Sequence, residues 1–268
     1  MSLRSTARAV PQLLRTGLAE TVAYRAEFVV WMLTTTLPLV MLGLWTSVAA
    51  DGEFRGYSSP DFVAYYLAAL IVRNLTGSWV VWQINDEIRR GILAMRLLRP
   101  VHPFVAYAAS HVAAVPLRGL IALPVTVILL ATTARDSLTH DPLQIALILP
   151  SLAGAWLLTF AFLFGLGCLA FFIDKSMALL DVYFGVFAVL SGYLIPLSML
   201  PSWLPTVARW LPFRFMLSAP VEVITGRELG AGGAAQLVAL QWGYAALILA
   251  LALALWRAGV RRFEAVGG

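Results

Sequence analysis

Six stretches of this chain are apolar over the length of a bilayer, and nothing else about the sequence restricts its fold as severely. They run from Phe28 to Ala50, Phe62 to Trp82, Phe104 to Thr133, Leu143 to Ile173, Met177 to Leu200 and Ala234 to Trp256. A helix needs about 20 apolar residues to cross the hydrocarbon core, so each run is long enough. In lipid every backbone polar group must be satisfied within the segment, and the runs are continuous rather than alternating, so helices are expected and strands are not. Composition agrees. Of 268 residues 60% are hydrophobic and 12% charged, with a mean hydropathy of +0.84. One soluble core cannot absorb that much apolar surface, and disorder needs the opposite balance. The fold expected is all-α: one polytopic membrane domain over 1–268, with spans at 28–50, 62–82, 104–133, 143–173, 177–200 and 234–256. The third and fourth runs exceed one crossing, and Pro116, Pro124 and Pro150 are places where they can kink. The first run follows a polar stretch and reads as a retained span, with no internal repeat and no linker elsewhere.

Basic residues collect on alternate connections. Arg4, Arg8, Arg15 and Arg25 precede the first run; Arg89, Arg90, Arg96 and Arg99 follow the second; Lys175 lies between the fourth and fifth; Arg257, Arg261 and Arg262 follow the sixth. The opposite side carries Arg55, Arg135, Arg209, Arg214 and Arg227. Positive-inside bias therefore places both termini in the cytoplasm.

Three segments are not simple spans. Within 1–26, Leu3, Ala7, Val10, Leu14 and Leu18 recur at helical spacing with Arg4, Arg8 and Arg15 off the stripe. This predicts an amphipathic helix in the headgroup plane, interrupted by Pro11; a basic tail that only sets topology is the plainer reading. In the cytoplasmic loop 83–103, Asn85 can cap a helix whose first turn holds Asp86 and Glu87, with Arg89 and Arg90 placed for i,i+3 and i,i+4 pairing. Leu93, Leu97 and their neighbours add apolar surface, and Pro100 and Pro103 end it. A short charged helix projecting between two spans is one reading, a solvated topology anchor the other. The outer segment 201–233, entered through Pro196, carries Pro201, Pro205, Pro212 and Pro220 with Trp203, Trp210, Phe213 and Phe215 between them. Short helices that dip into the outer leaflet and return fit this pattern, and so does an aromatic belt lying flat on the bilayer.

Several chemistries lack their residues. No glycine-rich phosphate loop surrounds Lys175, the only lysine, so ATP is not bound here through a P-loop. His102, His111 and His140 have no metal-ligand spacing, Cys168 stands alone, and Ser191-Gly192 lacks a nucleophile elbow, so no catalytic residue and no metal site is assigned. Three ionisable groups fall inside runs: Arg73, Arg118 and Asp181. Such groups are costly in lipid and mark either structural pairs or a substrate path. An ion pair between Arg73 and Asp181 is the first expectation, substrate contact the second.

The loop sequence Glu87-Ile88-Arg89-Arg90-Gly91 through Leu97-Leu98-Arg99-Pro100-Val101 resembles the cytoplasmic loop of the type-2 family of ABC transporter permeases. Ser191-Gly192-Tyr193-Leu194-Ile195-Pro196-Leu197, Leu211-Pro212-Phe213-Arg214 and Ala219-Pro220-Val221-Glu222 resemble that family's fifth span and outer region. The ending Arg261-Arg262-Phe263-Glu264-Ala265-Val266-Gly267-Gly268 is similar to that of a bacterial subfamily of uncharacterised multidrug-type permeases, and Tyr24-Arg25 also fits. The resemblance runs from about Tyr24 to the last residue; order and spacing carry it rather than any one motif.

The resemblance implies a non-catalytic export subunit in a bacterial cytoplasmic (inner) membrane. It would be paired with a second permease, an unlike sister chain or a second copy of itself, and with two copies of an ATPase that holds the ATP and Mg. The helix from Asp86 to Leu98 would couple to that ATPase through Asp86, Glu87, Arg89, Arg90, Leu93, Leu97 and Arg99. Residues 1–26 would form a connecting helix. Pro196, Trp203, Trp210, Phe213 and Phe215 would close the outer end of the pathway. Charge reversal at Glu87 and Arg90 is expected to uncouple transport while leaving folding intact. No nucleic-acid partner is implied. A secondary transporter or channel working without ATP is the alternative. Sparse mid-span charge and the lack of matched helix breaks in two halves weigh against it. A lipid-modifying enzyme lacks any set of acid, base and nucleophile.

Overall fold

The computed structural model describes residues 3–23, 36–227, 229 and 232–263. Tyr24-Arg25, the first run up to Thr35, the Glu228, Gly230 and Ala231 part of the outer segment and the last five residues lie outside them. Helices are the regular structure of the described residues, with one isolated bridge between Phe54 and Tyr57 closing a turn.

Helix α1 (Leu3–Ala23) runs through Pro11 and lies along α6 (Pro103–Ala113). The contact line differs from the expected stripe. Gly17 and Thr21 are buried while Leu18 is exposed. A Cβ at Gly17 would come within 2.8 Å of the Ser110 Cα, so the close approach to α6 selects the glycine face.

Helix α2 (Leu37–Val48) packs on α3 (Ser59–Thr76). A capping box starts α3. The Asp61 carboxylate accepts from the Ser58 N–H at 2.9 Å, and the Asp61 N–H donates to the Ser58 hydroxyl at 3.4 Å. The second run does not continue as one helix. It opens at Gly77, whose ψ of 143° is extended, and resumes as α4 (Val80–Arg89), with the Ser78 hydroxyl accepting the Val80 N–H at 3.2 Å. Helix α4 then carries the chain past Trp82 as far as Arg89, so the expected loop from Gln83 begins as helix.

After the short α5 (Leu93–Leu97), the third run divides into α6 and α7 (Val115–Thr133) at Ala114, two residues before Pro116. Pro lacks the N–H that would bond the preceding turn. Pro124 and Pro150 stay inside continuous helices. Helix α8 (Pro142–Cys168), extended by a 3-10 turn over Leu169–Phe171, is the hub. It packs on α13 (Gly233–Val260), α4 and α3. Gly154 faces Gln241 and Trp242, and Gly165 faces Ala252, so small residues let α8 and α13 approach closely. An aromatic column runs down the α8 face: Trp156 stacks on Phe160 at 5.1 Å, Phe104 meets Phe164 edge-on at 5.0 Å, and Phe164 meets Trp256 at 5.4 Å. Such pairs add about 0.5–1.5 kcal/mol each beyond area burial.

Helix α9 (Ala178–Leu190) covers only the first half of the fifth run. From Ser191 the chain is irregular, with a 3-10 turn at Leu197–Met199 and then α10 (Trp203–Ala208), α11 (Pro212–Met216) and α12 (Ser218–Thr225). Two described helical stretches are apolar enough and long enough to cross a membrane alone: Pro142–Phe171 and Gly233–Val260. The apolar helices Leu37–Val48 and Ala178–Leu190 are shorter. The second and third runs reach their length only as broken pairs, α3 with α4 and α6 with α7.

Candidate functional site

The sequence from Gln83 to Pro103, expected on the inner side, folds into an elbow. Asn85, expected as a helix cap, sits inside α4, where its amide donates to the Ser176 hydroxyl at 2.6 Å and its oxygen accepts from the Arg89 Nε at 3.0 Å. The expected single helix from Asp86 to Leu98 is interrupted. Gly91 takes φ +73°, a left-handed turn that glycine adopts without steric cost, and α5 folds back against α4. The turn brings Arg96 to Glu87. The Glu87 carboxylate accepts from Arg96 Nε at 2.7 Å and from its NH2 group at 2.5 Å, and accepts a third bond from the Tyr107 hydroxyl at 2.5 Å. The guanidinium also lies 4.3 Å from the centre of the Tyr107 ring. Burial works to lower the Arg96 pKa, yet its bonds to Glu87 and the neighbouring Tyr107 hold it above the ordinary value. The fork geometry gives the pair two parallel hydrogen bonds in an enclosed place.

This lock joins three elements: α4 through Glu87, α5 through Arg96 and α6 through Tyr107. The residues expected to act together at the elbow therefore divide. Glu87 and Leu93 are buried, Leu97 is half-buried, and Asp86, Arg89, Arg90 and Arg99 are exposed. Asp86 and Arg90 form an exposed ion pair at 2.7 Å. Reversing Glu87 would set a cation against half-buried Arg96, so Glu87 is not interchangeable with Arg90. The sequence reading missed Arg96, because nine residues is not a helical spacing, and missed Tyr107 altogether. It counted Met95 and Leu98 among the apolar residues of the loop but not among the coupling residues, and they are the most exposed apolar side chains of the elbow, at 72% and 86%. Their i,i+3 spacing, each followed directly by an arginine, was the available signal.

Arg118 has a different task from its neighbours. It is fully buried, and its guanidinium donates to the Gly77 carbonyl and to the Asn74 carbonyl at 3.4 Å while lying 4.9 Å from the Trp79 ring centre. These carbonyls belong to the end of α3, where the break removes their helical partners. The guanidinium from α7 satisfies them. His111 meets the Trp79 ring at 4.3 Å in a tilted contact and reaches the Ser78 hydroxyl at 3.4 Å, completing the bracket around the break. Arg73 and Asp181 do not pair. The Arg73 guanidinium faces the rings of Phe187 at 5.3 Å and Tyr193 at 5.9 Å, and Asp181 lies on the exposed side of α9. Aromatic faces take the place of the expected carboxylate.

The outer cap is held by side chains that reach its irregular backbone. The Tyr65 hydroxyl donates to the Gly192 carbonyl at 2.7 Å, and the Leu194 carbonyl accepts from the Tyr66 hydroxyl at 2.9 Å and the Trp45 indole at 3.3 Å. Gly192 has φ +83°, and a Cβ there would meet the Tyr65 hydroxyl at 2.5 Å. Further along, Gln241 donates to the Phe215 carbonyl at 2.8 Å and accepts from Ser151 at 3.1 Å, and Tyr244 donates to the Trp210 carbonyl at 2.9 Å. Glu222 pairs with Arg214 at 2.7 Å and accepts from Ser218 at 2.8 Å. Arg227 reaches from the end of α12 to Asp61 at 3.0 Å and lies 4.0 Å from the Tyr57 ring centre. Of the side chains expected at an outer gate, Pro196 and Phe215 are buried, Phe213 is half-buried against Phe162 and Tyr183, and Trp203 and Trp210 are exposed.

No curated protein and no solved structure matches the chain. The family profile described as ABC-2 family transporter protein matches residues 28–267. That stretch contains the elbow, the bracketed break and the cap, and the chain therefore belongs to the ABC-2 transporter family, as a membrane-integral permease component of an ABC transporter.

Proposed function

We propose that the chain is the membrane-spanning subunit of an ATP-driven exporter in a bacterial cytoplasmic membrane, crossing six times with both termini inside. Its second and third crossings would be the broken pairs α3–α4 and α6–α7, and its fifth would be α9 completed by the irregular segment after Ser191. A second permease, either an unlike sister chain or another copy, would complete the pathway. Two copies of a separate ATPase would hold the ATP and Mg. The single observation that carries this reading is the elbow. Its exposed apolar pair, Met95 and Leu98, stands on an arm whose root is bonded to the inner ends of two helices through Glu87, Arg96 and Tyr107.

An ATPase that grips Met95 and Leu98 would move α4 and α6 together, because the buried lock does not allow α5 to swing alone. ATP drives transport only if it favours one arrangement of the complex over another, so the displacement has to change the relation of the two permeases. The test is Met95→Asp with Leu98→Asp. These side chains are exposed, so thermal stability should stay at the wild-type level, while co-purification of the ATPase falls by about tenfold, the effect of losing ~1.4 kcal/mol at the interface. Normal ATPase retention and normal transport by this variant would end the coupling reading. Cargo movement by the chain without any ATPase would put the channel reading in its place.

A further inference from the structure

We propose that the inner half of the groove between α8 and α13 is a binding site for an anionic phospholipid of the cytoplasmic leaflet. The groove is a cavity of about 340 Å³ whose walls are Phe162, Gly165, Leu169, Ile248, Leu251 and Leu255. It exists because small residues set the helix spacing: a Cβ at Gly165 would already touch the Ala252 Cβ at 3.5 Å, while the larger side chains on either side stand apart as walls. Leu251 is 57% exposed, so the groove opens outward rather than into the bundle.

Its lower end is cationic. The α13 wall of the groove ends toward Arg262, two residues past the end of that helix, and the α8 wall toward Phe172, which follows the 3-10 turn that extends α8. The two walls meet there, with the Arg262 guanidinium 5.2 Å from the centre of the Phe172 ring. Stacking on a ring holds the guanidinium by its face and leaves its N–H edge available for phosphate oxygens. Arg262 is exposed, as are Arg261 beside it and Lys175 three residues beyond Phe172; Asp174 is the one acid in that turn. The site has a single apolar channel with cations at one end, which is the shape and charge order of a phospholipid.

Charge decides the occupant. A hydrocarbon chain entering the groove only exchanges one apolar neighbour for another, so apolar fit gives little affinity and a neutral transmembrane segment would have no reason to settle there. Basic pockets between helices on the cytoplasmic side do select anionic headgroups. The assignment to the cytoplasmic leaflet rests on the six-span orientation proposed above; the groove and its cationic foot do not.

The experiment is native mass spectrometry of the full-length purified chain titrated with phosphatidylglycerol or phosphatidylcholine. Each cation near a lipid surface weights anionic binding by about fivefold, so Arg261 and Arg262 together should give a preference of roughly twenty-five-fold. In the Arg261→Gln, Arg262→Gln variant that preference should vanish while phosphatidylcholine is retained as before. Leu251→Trp, which plugs the groove from its open side, should weaken retention of both lipids. An unchanged preference in the double arginine variant overturns the lipid site and leaves the span assignment standing. The same holds for self-association of the wild type that Leu251→Trp abolishes, since the groove would then seat a helix. Wild-type protein that retains neither lipid overturns the site and leaves the membrane-integral assignment standing.

Discussion

The inner elbow and the outer cap each contain a buried glutamate held by an arginine, yet the two are built for different work. Glu87 takes Arg96 from the next helix and Tyr107 from the one after, so one carboxylate fastens three elements. Glu222 takes Arg214 and Ser218 from within the cap itself, so its charge staples the cap to itself. The cap meets the long helices mostly through separate neutral bonds, from Tyr65, Tyr66, Trp45, Gln241 and Tyr244 to single carbonyls. A shared carboxylate fails all at once, whereas a row of hydroxyl–carbonyl bonds can open one at a time. The elbow is thus suited to carry force as a block, and the cap to move in steps against a fixed frame.

The strongest way to break this contrast is Glu87→Gln. It leaves half-buried Arg96 without the carboxylate that holds it, and a hydrogen bond to a charged group is worth about 1.5–3 kcal/mol. A large fall in melting temperature in detergent is expected, together with loss of transport. Arg96→Met, which removes the stranded charge, should recover part of the stability in the double variant. The coupling energy measured in that cycle should lie at the upper end of about 0.5–3 kcal/mol, as for groups in direct contact. Additive single effects would mean that the elbow is not one unit.

The cap should behave in the opposite way. Tyr66→Phe removes one of two donors to the Leu194 carbonyl and should cost about 0.5–1.5 kcal/mol, the net worth of an ordinary hydrogen bond. Tyr65→Phe takes the hydroxyl donor from the buried Gly192 carbonyl and should cost more, about 1–3 kcal/mol. The Tyr65 and Tyr66 rings touch at 5.2 Å, so the clean pair is Tyr66→Phe with Tyr244→Phe, on different helices and different carbonyls, whose losses should add within about 0.5 kcal/mol. Chemical denaturation of the three variants measures this. Strong coupling between them would give the cap the same cooperative character as the elbow and erase the distinction.

How far the sequence discloses these two regions follows from the range of the forces involved. Apolar length is imposed on every residue in turn, so the positions of the runs are legible; so is the irregularity of the cap, because proline acts on its own backbone. The break at Gly77–Trp79 is not legible, since Gly, Ser and Trp leave the run apolar and the arginine that satisfies the break lies 41 residues further on. The early end of α9 is equally hidden: apolar residues continue to Leu200, but Gly192 turns left-handed and its carbonyl, like that of Leu194, accepts from a tyrosine hydroxyl on α3. At the elbow the charges are visible while their partners are not, because a single glycine at position 91 replaces helical spacing by a fold-back. Arg73 and Asp181 give the converse case, two opposite charges whose match in sequence is not a match in space.

The smallest effect is the most discriminating one. Asp86 and Arg90 pair at i,i+4 on the surface of α4, with side chains 50% and 69% exposed. Such a pair is worth about 0.3–0.5 kcal/mol and weakens with salt. Arg90→Ala should therefore shift the melting temperature by no more than a degree or so for a loss of that size, and the shift should disappear at about 1 M salt, where screening reaches only ~3 Å. Transport and ATPase stimulation can be measured on the same preparation. If both persist, the exposed pair is only a helix-surface contact and the coupling resides in Met95, Leu98 and the lock behind them. If stimulation is lost while the melting temperature holds, Arg90 meets the partner directly, and the elbow combines an interior charge that keeps the arm rigid with an exterior charge that is read by another chain. In the outer cap Arg214 is taken up by Glu222, and Arg227 by Asp61 and the Tyr57 ring, while Arg209 at the end of α10 is exposed like Arg90.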